Sequence, residues 1–220
     1  KGRNEMRKLM TGIAFAAALA LCGGSAFAVD QQITGKKLLI LNPGGSPSTN
    51  NKIVYLSKDT DIAIPGAPAE DPRCVVDGGS GAGGVLTVNS TASGESATVT
   101  LPCAGWSVNG AGTLHKYKDP SGATCKIVLI KGGKLQKAVC KGTAVQPYDL
   151  SADQVSVDVL VRTGTTPRRW CTTFNGTTSA CTVVKDGSDN KKYLAKNCTA
   201  APAVCPASPS GAFLDDAGLF

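Results

Sequence analysis

The chain has 220 residues, of which 42% are hydrophobic, 18% charged and 5% aromatic, and its formal net charge is +7. This length allows one good-sized domain with its own core. Many glycines (26) with few aromatic residues suit numerous short strands joined by turns. No segment is long and apolar enough to predict a membrane-spanning helix.

The N-terminus has the pattern of a secretory signal peptide. Met6 is followed by Arg7-Lys8, by an apolar run over Leu9–Leu21 and by a small-x-small cleavage pattern that ends at Ala28. We predict cleavage after Ala28. Residues 1–28 are then residues upstream of the start methionine plus the signal peptide, and the exported protein is secreted or periplasmic.

The same segment has a second interpretation. The run LALCG around Cys22 resembles a lipobox, in which the cysteine carries a lipid anchor. Leu21 departs from this pattern, because the residue before that cysteine is normally small. Under this alternative the protein is an envelope lipoprotein anchored at Cys22.

Residues 29–206 are predicted to form one all-β domain, because short apolar runs alternate with turns rich in Gly, Pro and Asn. Period-two alternation is clearest over 155–161, and Asn175-Gly176 predicts a hairpin between its flanking runs. The predicted strands are 36–41, 52–56, 85–89, 96–101, 113–118, 125–131, 134–140, 155–161, 168–174, 180–184 and 191–196, and 61–64 forms a short strand at most. This spacing predicts a disulfide-stapled antiparallel β-sandwich with Greek-key or jelly-roll connections, followed by a tail or linker over 207–220.

The stretch from Cys125 to Cys140 predicts another hairpin. Gly132-Gly133 separates two β-rich runs, and a two-residue primed turn needs positive φ at both central residues. In that register Cys125 lies opposite Cys140, at a Cα separation of about 4.5–5.5 Å that a disulfide can span. One face then carries Lys126, Val128, Ile130, Leu135, Lys137 and Val139, and the other carries Cys125, Ile127, Leu129, Gln136, Ala138 and Cys140.

Eight cysteines follow the predicted cleavage site, and an even number in an exported chain indicates four disulfides. If the closing segment folds back along a 168–184 hairpin, the last four cysteines form nested pairs. The preferred pairs are Cys125–Cys140, Cys171–Cys205, Cys181–Cys198 and, by elimination, Cys74–Cys103. The local pairs 171–181 and 198–205 are the alternative.

Three segments resemble a recurrent exported bacterial domain. They are KYKDPSGATCKIVLIKGGKLQKAVCKG, RRWCTTF and KKYLAKNC with a later Cys-Pro, and together they span about residues 36–206. The family has no assigned activity, so the resemblance implies export and an all-β fold without implying a function. It also favours Cys171–Cys205, because members keep a late Cys-Pro, and it makes Cys181–Cys198 an additional pair.

No catalytic, metal-binding or cofactor-binding residues are assigned. His115 is the only histidine, and neither a nucleophile nor a carboxylate is predicted beside it, so it is interpreted as a strand-edge residue. The absence of a CxxC motif argues against zinc. Trp106, Tyr117, Trp170 and Tyr193 are interpreted as core residues rather than as a sugar-binding platform.

Lysines around the Cys125–Cys140 hairpin form a candidate basic surface, represented by Lys116, Lys118, Lys126 and Lys137. The first interpretation is a set of solvated charges that protect a sheet edge. The second is a surface for a glycan or an acidic surface polymer. Without residues 1–28 the chain keeps 19 basic and 15 acidic residues, so a nucleic-acid partner is not expected.

The disulfide-stapled β fold without a catalytic cluster predicts an exported, non-enzymatic module. Its role would be structural, adhesive or ligand-binding, at or outside the bacterial envelope, and no cofactor is expected. The alternative is an extracellular hydrolase, for example one acting on glycans, whose carboxylates converge only in the fold.

Overall fold

A computed structural model describes residues 29–44, 48–119 and 121–207. The predicted signal peptide, the Cys22 lipobox and all but the first residue of the predicted tail lie outside these ranges. Among the described residues there is no helix long and apolar enough to cross a membrane.

The regular secondary structure of the described chain is almost entirely β, which confirms the predicted all-β class. Predicted and observed strands differ by at most two residues at their ends, but the short strand allowed over 61–64 does not form, and the observed strands Val29–Gln32 and Trp106–Val108 were not predicted. Three 3-10 turns cover Val75–Asp77, Cys103–Gly105 and Thr143–Val145. The strands are β1 (Val29–Gln32), β2 (Lys37–Leu41), β3 (Lys52–Ser57), β4 (Gly84–Ser90), β5 (Ser96–Leu101), β6 (Trp106–Val108), β7 (Leu114–Tyr117), β8 (Cys125–Lys131), β9 (Leu135–Lys141), β10 (Ser156–Thr163), β11 (Arg168–Asn175), β12 (Thr182–Asp186) and β13 (Lys192–Lys196).

The strands form two sheets, as a β-sandwich requires. The five-stranded sheet has the order β1-β11-β10-β4-β5, and the eight-stranded sheet has the order β12-β13-β2-β3-β9-β8-β7-β6. Neighbouring strands are antiparallel, except that β1 runs parallel to β11. The chain passes between the sheets after β1, β3, β5, β9 and β11.

The inward residues of both sheets share one hydrophobic core. Leu38 and Ile40 on β2 are at most 1% exposed, as are Val157, Val159 and Val161 on β10. Since side chains of a strand alternate between faces, this explains the period-two pattern that predicted β10. The predicted strand begins one residue too early, because Val155 precedes β10 and is 65% exposed.

Buried polar groups connect the two sheets across this core. The Tyr55 hydroxyl on β3 lies 2.7 Å from Thr172 Oγ1 on β11 and donates to Gln136 Oε1 at 3.1 Å. The Tyr193 hydroxyl on β13 donates to the backbone carbonyl of Phe174 at 3.0 Å. Buried polar atoms need such partners, so these bonds favour one alignment of the sheets.

The β8–β9 hairpin does not use the predicted two-residue turn. Lys131 pairs with Leu135, so the turn has three residues, and of its two glycines only Gly133 has a positive φ, 61°. A bulge at Lys126 then shifts the register back and brings Cys125 opposite Cys140. The longer turn and the bulge each shift the pairing by one residue, so their effects cancel at the disulfide.

The predicted faces of this hairpin are wrong for most of β8, because the register changes at the bulge. The core side carries Cys125, Val128, Ile130, Gln136, Ala138 and Cys140, all 0% exposed. The outer side carries Ile127, Leu129, Lys131, Leu135, Lys137 and Val139.

The predicted hairpin across Asn175-Gly176 is also wrong, since β11 and β12 belong to different sheets. Asn175 Oδ1 accepts hydrogen bonds from the backbone amides of Thr177 and Thr178 at 2.6 and 2.8 Å. This side-chain turn redirects the chain from one sheet to the other, so the Asn-Gly pair does not form a two-residue hairpin turn.

The structure contains the four disulfides that the sequence favoured, namely Cys74–Cys103, Cys125–Cys140, Cys171–Cys205 and Cys181–Cys198. The closing strand β13 runs antiparallel to β12, as expected, and this brings Cys181 close to Cys198, but the 168–184 hairpin assumed in that reasoning does not form, because β11 lies in the other sheet. Four disulfides indicate an oxidising, extracytoplasmic environment.

Candidate functional site

The outer face of the eight-stranded sheet has an unusual composition. In an antiparallel sheet with one face on the core, the other face is normally polar. Here the outward positions of six adjacent strands are occupied by aliphatic residues and lysine. We refer to them as the lysine–aliphatic face. Its aliphatic residues are Leu39, Leu41, Val54, Leu56, Leu114, Ile127, Leu129, Leu135, Val139 and Leu194. Its lysines are Lys37, Lys52, Lys116, Lys131, Lys137, Lys141, Lys192 and Lys196.

Strand register arranges these residues in rows across the sheet. The central row contains only aliphatic residues, and we call it the aliphatic band: Ile127, Val139, Val54, Leu39 and Leu194, on β8, β9, β3, β2 and β13. Neighbouring strands lie about 4.8 Å apart, so the band is about 19 Å long.

Rows rich in lysine border the band on both sides. One contains Lys116, Leu129, Lys137, Leu56, Lys37 and Lys196. The other contains Lys141, Lys52, Leu41 and Lys192. Each row is two residues from the band along the strands, so the bordering rows lie about 13 Å apart. All members are half-buried except Leu194, which is 8% exposed, and Lys141, which is exposed.

No acidic residue occurs in any of the six strands β2, β3, β7, β8, β9 and β13. The ion pairs of the described residues are formed by arginine or histidine, as in Arg168–Glu70 and Arg169–Asp30, and no described lysine takes part in one. The lysines of the lysine–aliphatic face therefore form no ion pair with a described side chain, and a concentration of charges of one sign favours a positive potential over that side of the sheet.

The sequence identified this surface only in part. Lys116 and Lys137 lie on the lysine–aliphatic face, whereas Lys126 occupies the exposed bulge and Lys118 is exposed just beyond β7. The contributions of β2, β3 and β13 were missed. Their signal was present, because reading KLLIL with period two leaves aliphatic residues on both faces of the strand.

His115 lies in the interior instead of at an exposed strand edge. It is 2% exposed, and its Nε2 lies 3.9 Å from Asp71 Oδ2. Arg73 donates to that carboxylate from Nη2 at 2.7 Å. Burial lowers the pKa of His115, and the charge of Arg73 lowers it further, against the opposing effect of Asp71. The imidazole is therefore uncharged at neutral pH and packs the loop that carries Asp71 against β7.

The aspartate of this cluster stays ionised. Burial raises the pKa of Asp71, but the hydrogen bonds and charge of Arg73 outweigh burial, so the net shift is downward. Among the described residues no hydroxyl or thiol bonds to His115, and its Nδ1 has no hydrogen-bond partner. This arrangement holds a loop in place and does not present an activated nucleophile.

The hydrolase alternative requires two carboxylates that face each other across a cleft. The depression beside Gly35 is lined by Thr34, Lys36, Lys58, Asn197, Cys198 and Thr199, none of which is acidic. Asp158 is 3% exposed and accepts a hydrogen bond from Thr173 Oγ1 at 2.6 Å. Nor do the described residues contain a group of three or more His, Cys, Asp or Glu that could hold a metal ion. Neither this depression nor the buried Asp158 provides the facing pair of carboxylates that the hydrolase requires.

The aromatic residues are buried, as the sequence predicted. Trp106, Tyr117, Trp170 and Tyr193 are at most 5% exposed, and the other described tyrosines and Phe174 are likewise in the core. They are unavailable for stacking on a sugar ring, so none of them forms a glycan platform.

Comparison with known proteins identifies no relative: no family model, no curated protein and no solved structure matches the chain. Because one fold supports many activities, the β-sandwich alone does not define a function. The composition and charge of the lysine–aliphatic face are the observations from which a function can be inferred.

Proposed function

We propose that the protein is an exported, non-enzymatic β-sandwich module that binds a negatively charged partner at or outside the bacterial envelope. The binding surface is the lysine–aliphatic face. One observation carries the proposal: eight lysines on one sheet face, with no acidic residue in the six strands that present them and no ion pair to any of them among the described residues.

Ordinary solubility explains this surface poorly. Protein surfaces that only need to remain soluble intersperse charges of both signs. Protection of sheet edges by lysine is also an incomplete explanation, because β2, β3 and β9 are internal strands of the sheet. A positive face with an acidic partner accounts for the single sign of charge and for its position in the middle of the sheet.

Retention on immobilised polyphosphate tests the proposal. The face variant is the triple substitution Lys37→Gln, Lys116→Gln and Lys137→Gln. The matched control is Lys36→Gln, Lys58→Gln and Lys134→Gln, which removes the same charge from three exposed lysines outside the face. We expect wild type and control to elute at similar salt concentrations and the face variant to elute at a clearly lower one. Equal elution of the two variants would show that net charge, rather than this face, causes retention.

A further inference from the structure

We infer that the partner of the lysine–aliphatic face is an anionic lipid surface. This inference rests on the proposed function and specifies it further: the ligand has phosphate headgroups for the lysines and acyl chains for the aliphatic band. A soluble polyanion would use only the lysines and would leave the aliphatic band without a partner.

The geometry of the face fits a lipid boundary. The aliphatic band lies between two lysine-containing rows, with Val54 bordered by Leu56 and Lys52 along the same strand. On a sheet lying against a membrane, half-buried lysines can keep their stems along the aliphatic residues and extend their ammonium groups to the phosphates. The band then faces the boundary between headgroups and acyl chains, as the apolar side of an interfacial helix does.

The composition argues against a protein partner. Interfaces between proteins are enriched in Trp, Tyr and Arg and depleted in Lys at their centre. The lysine–aliphatic face has eight lysines, no arginine and no aromatic residue. A second copy of the chain is also disfavoured, because its identical face would place lysines opposite lysines without an acidic group between them.

Vesicle co-sedimentation tests this inference with the disulfide-bonded protein. The vesicles are phosphatidylcholine alone or phosphatidylcholine mixed with phosphatidylglycerol, and soluble polyphosphate serves as an anionic probe without acyl chains. Each lysine near an anionic membrane contributes about fivefold to binding, so the triple Lys→Gln face variant should bind the phosphatidylglycerol vesicles about a hundredfold more weakly than its control.

A second variant separates the lipid from the polyanion. Val54→Thr, Ile127→Thr and Val139→Thr remove apolar groups from the aliphatic band while keeping β-branched residues suited to strands. The matched control is Val75→Thr, Val76→Thr and Val155→Thr, because these valines are 71%, 92% and 65% exposed outside the face. We expect the band variant to lose at least tenfold in vesicle binding and to keep its polyphosphate binding within about twofold. The control should match wild type with both probes.

The outcomes distinguish this inference from the proposed function. Polyphosphate binding without vesicle binding overturns the lipid surface and leaves the proposed function standing. Binding to neither probe overturns both. If the band variant binds vesicles as well as its control does, the band does not contact lipid and the inference is wrong. Circular dichroism melts compare folding of the variants, and the Lys→Gln variant provides a second test should the band variant unfold.

Discussion

Replacing Tyr55 by Phe should destabilise the fold far more than the loss of one oxygen atom suggests. The Tyr55 hydroxyl forms hydrogen bonds with both Gln136 Oε1 and Thr172 Oγ1, and all three residues are at most 1% exposed. Removing it breaks two buried hydrogen bonds and leaves two buried polar atoms without partners. At about 1–2 kcal/mol for each orphaned group, the expected loss is about 2–4 kcal/mol. Urea unfolding at neutral pH measures this loss of stability as a shift of the unfolding midpoint, provided that the m-value is unchanged.

A double-mutant cycle tests whether the loss comes from this network. Thr172→Val removes one of the two orphaned groups, so the double variant should be more stable than additivity predicts, by about 1–2 kcal/mol. Tyr193→Phe is the control, because it breaks a single bond to the carbonyl of Phe174 and should cost about 1 kcal/mol. A loss below about 0.5 kcal/mol for Tyr55→Phe, or strict additivity in the cycle, would refute the idea that this network connects the sheets.

Three further predictions concern pH, the hairpin disulfide and the hairpin turn. Because burial lowers the pKa of His115 in the folded state, the unfolded state binds more protons, and the free energy of unfolding should fall as the pH drops below about 6.5. Urea unfolding at a series of pH values should show a weaker decline of the free energy of unfolding in His115→Asn than in wild type. An identical pH dependence in the two proteins would contradict this prediction. Replacing Cys125 and Cys140 by Ala opens a loop with a sequence separation of 15 and should cost about 3 kcal/mol in the same assay; unchanged stability would mean that the strand pairing alone holds the hairpin. Gly133→Ala should lower the thermal midpoint through a loss of about 1–2 kcal/mol, since φ is 61° and the nearest atom to an added Cβ is an ordinary 3.5 Å away. Gly133→Asn should lose less stability than Gly133→Ala. Equal losses would show that the backbone conformation at this position is not the cause.

The sequence predicted what depends on short-range pattern. Period-two alternation located β10 because its valines at 157, 159 and 161 all meet the core. The disulfide Cys125–Cys140 was predicted from a turn that the hairpin does not have, since the bulge at Lys126 compensates for the longer turn. Correct pairing at one position therefore does not establish the register of the whole hairpin.

The sequence could not predict what depends on sheet assignment. Nothing local shows that β11 and β12 lie in different sheets, because Asn175 supports both a hairpin turn and a side-chain turn that redirects the chain. Most of the lysine–aliphatic face was missed for the same reason. Its rows combine β2, β3 and β13 with the hairpin, and only the strand order brings these segments together.

Chemical footprinting of lysines most directly tests whether the lysine–aliphatic face is the binding surface. The protein is briefly acetylated with and without phosphatidylglycerol vesicles, and mass spectrometry measures the reactivity of each lysine. We predict that Lys37 and Lys137 lose reactivity when vesicles are present, while the exposed Lys36, Lys58 and Lys134 outside the face keep theirs. Unchanged reactivity on the face in vesicle-bound protein, or protection confined to the other lysines, would contradict the assignment.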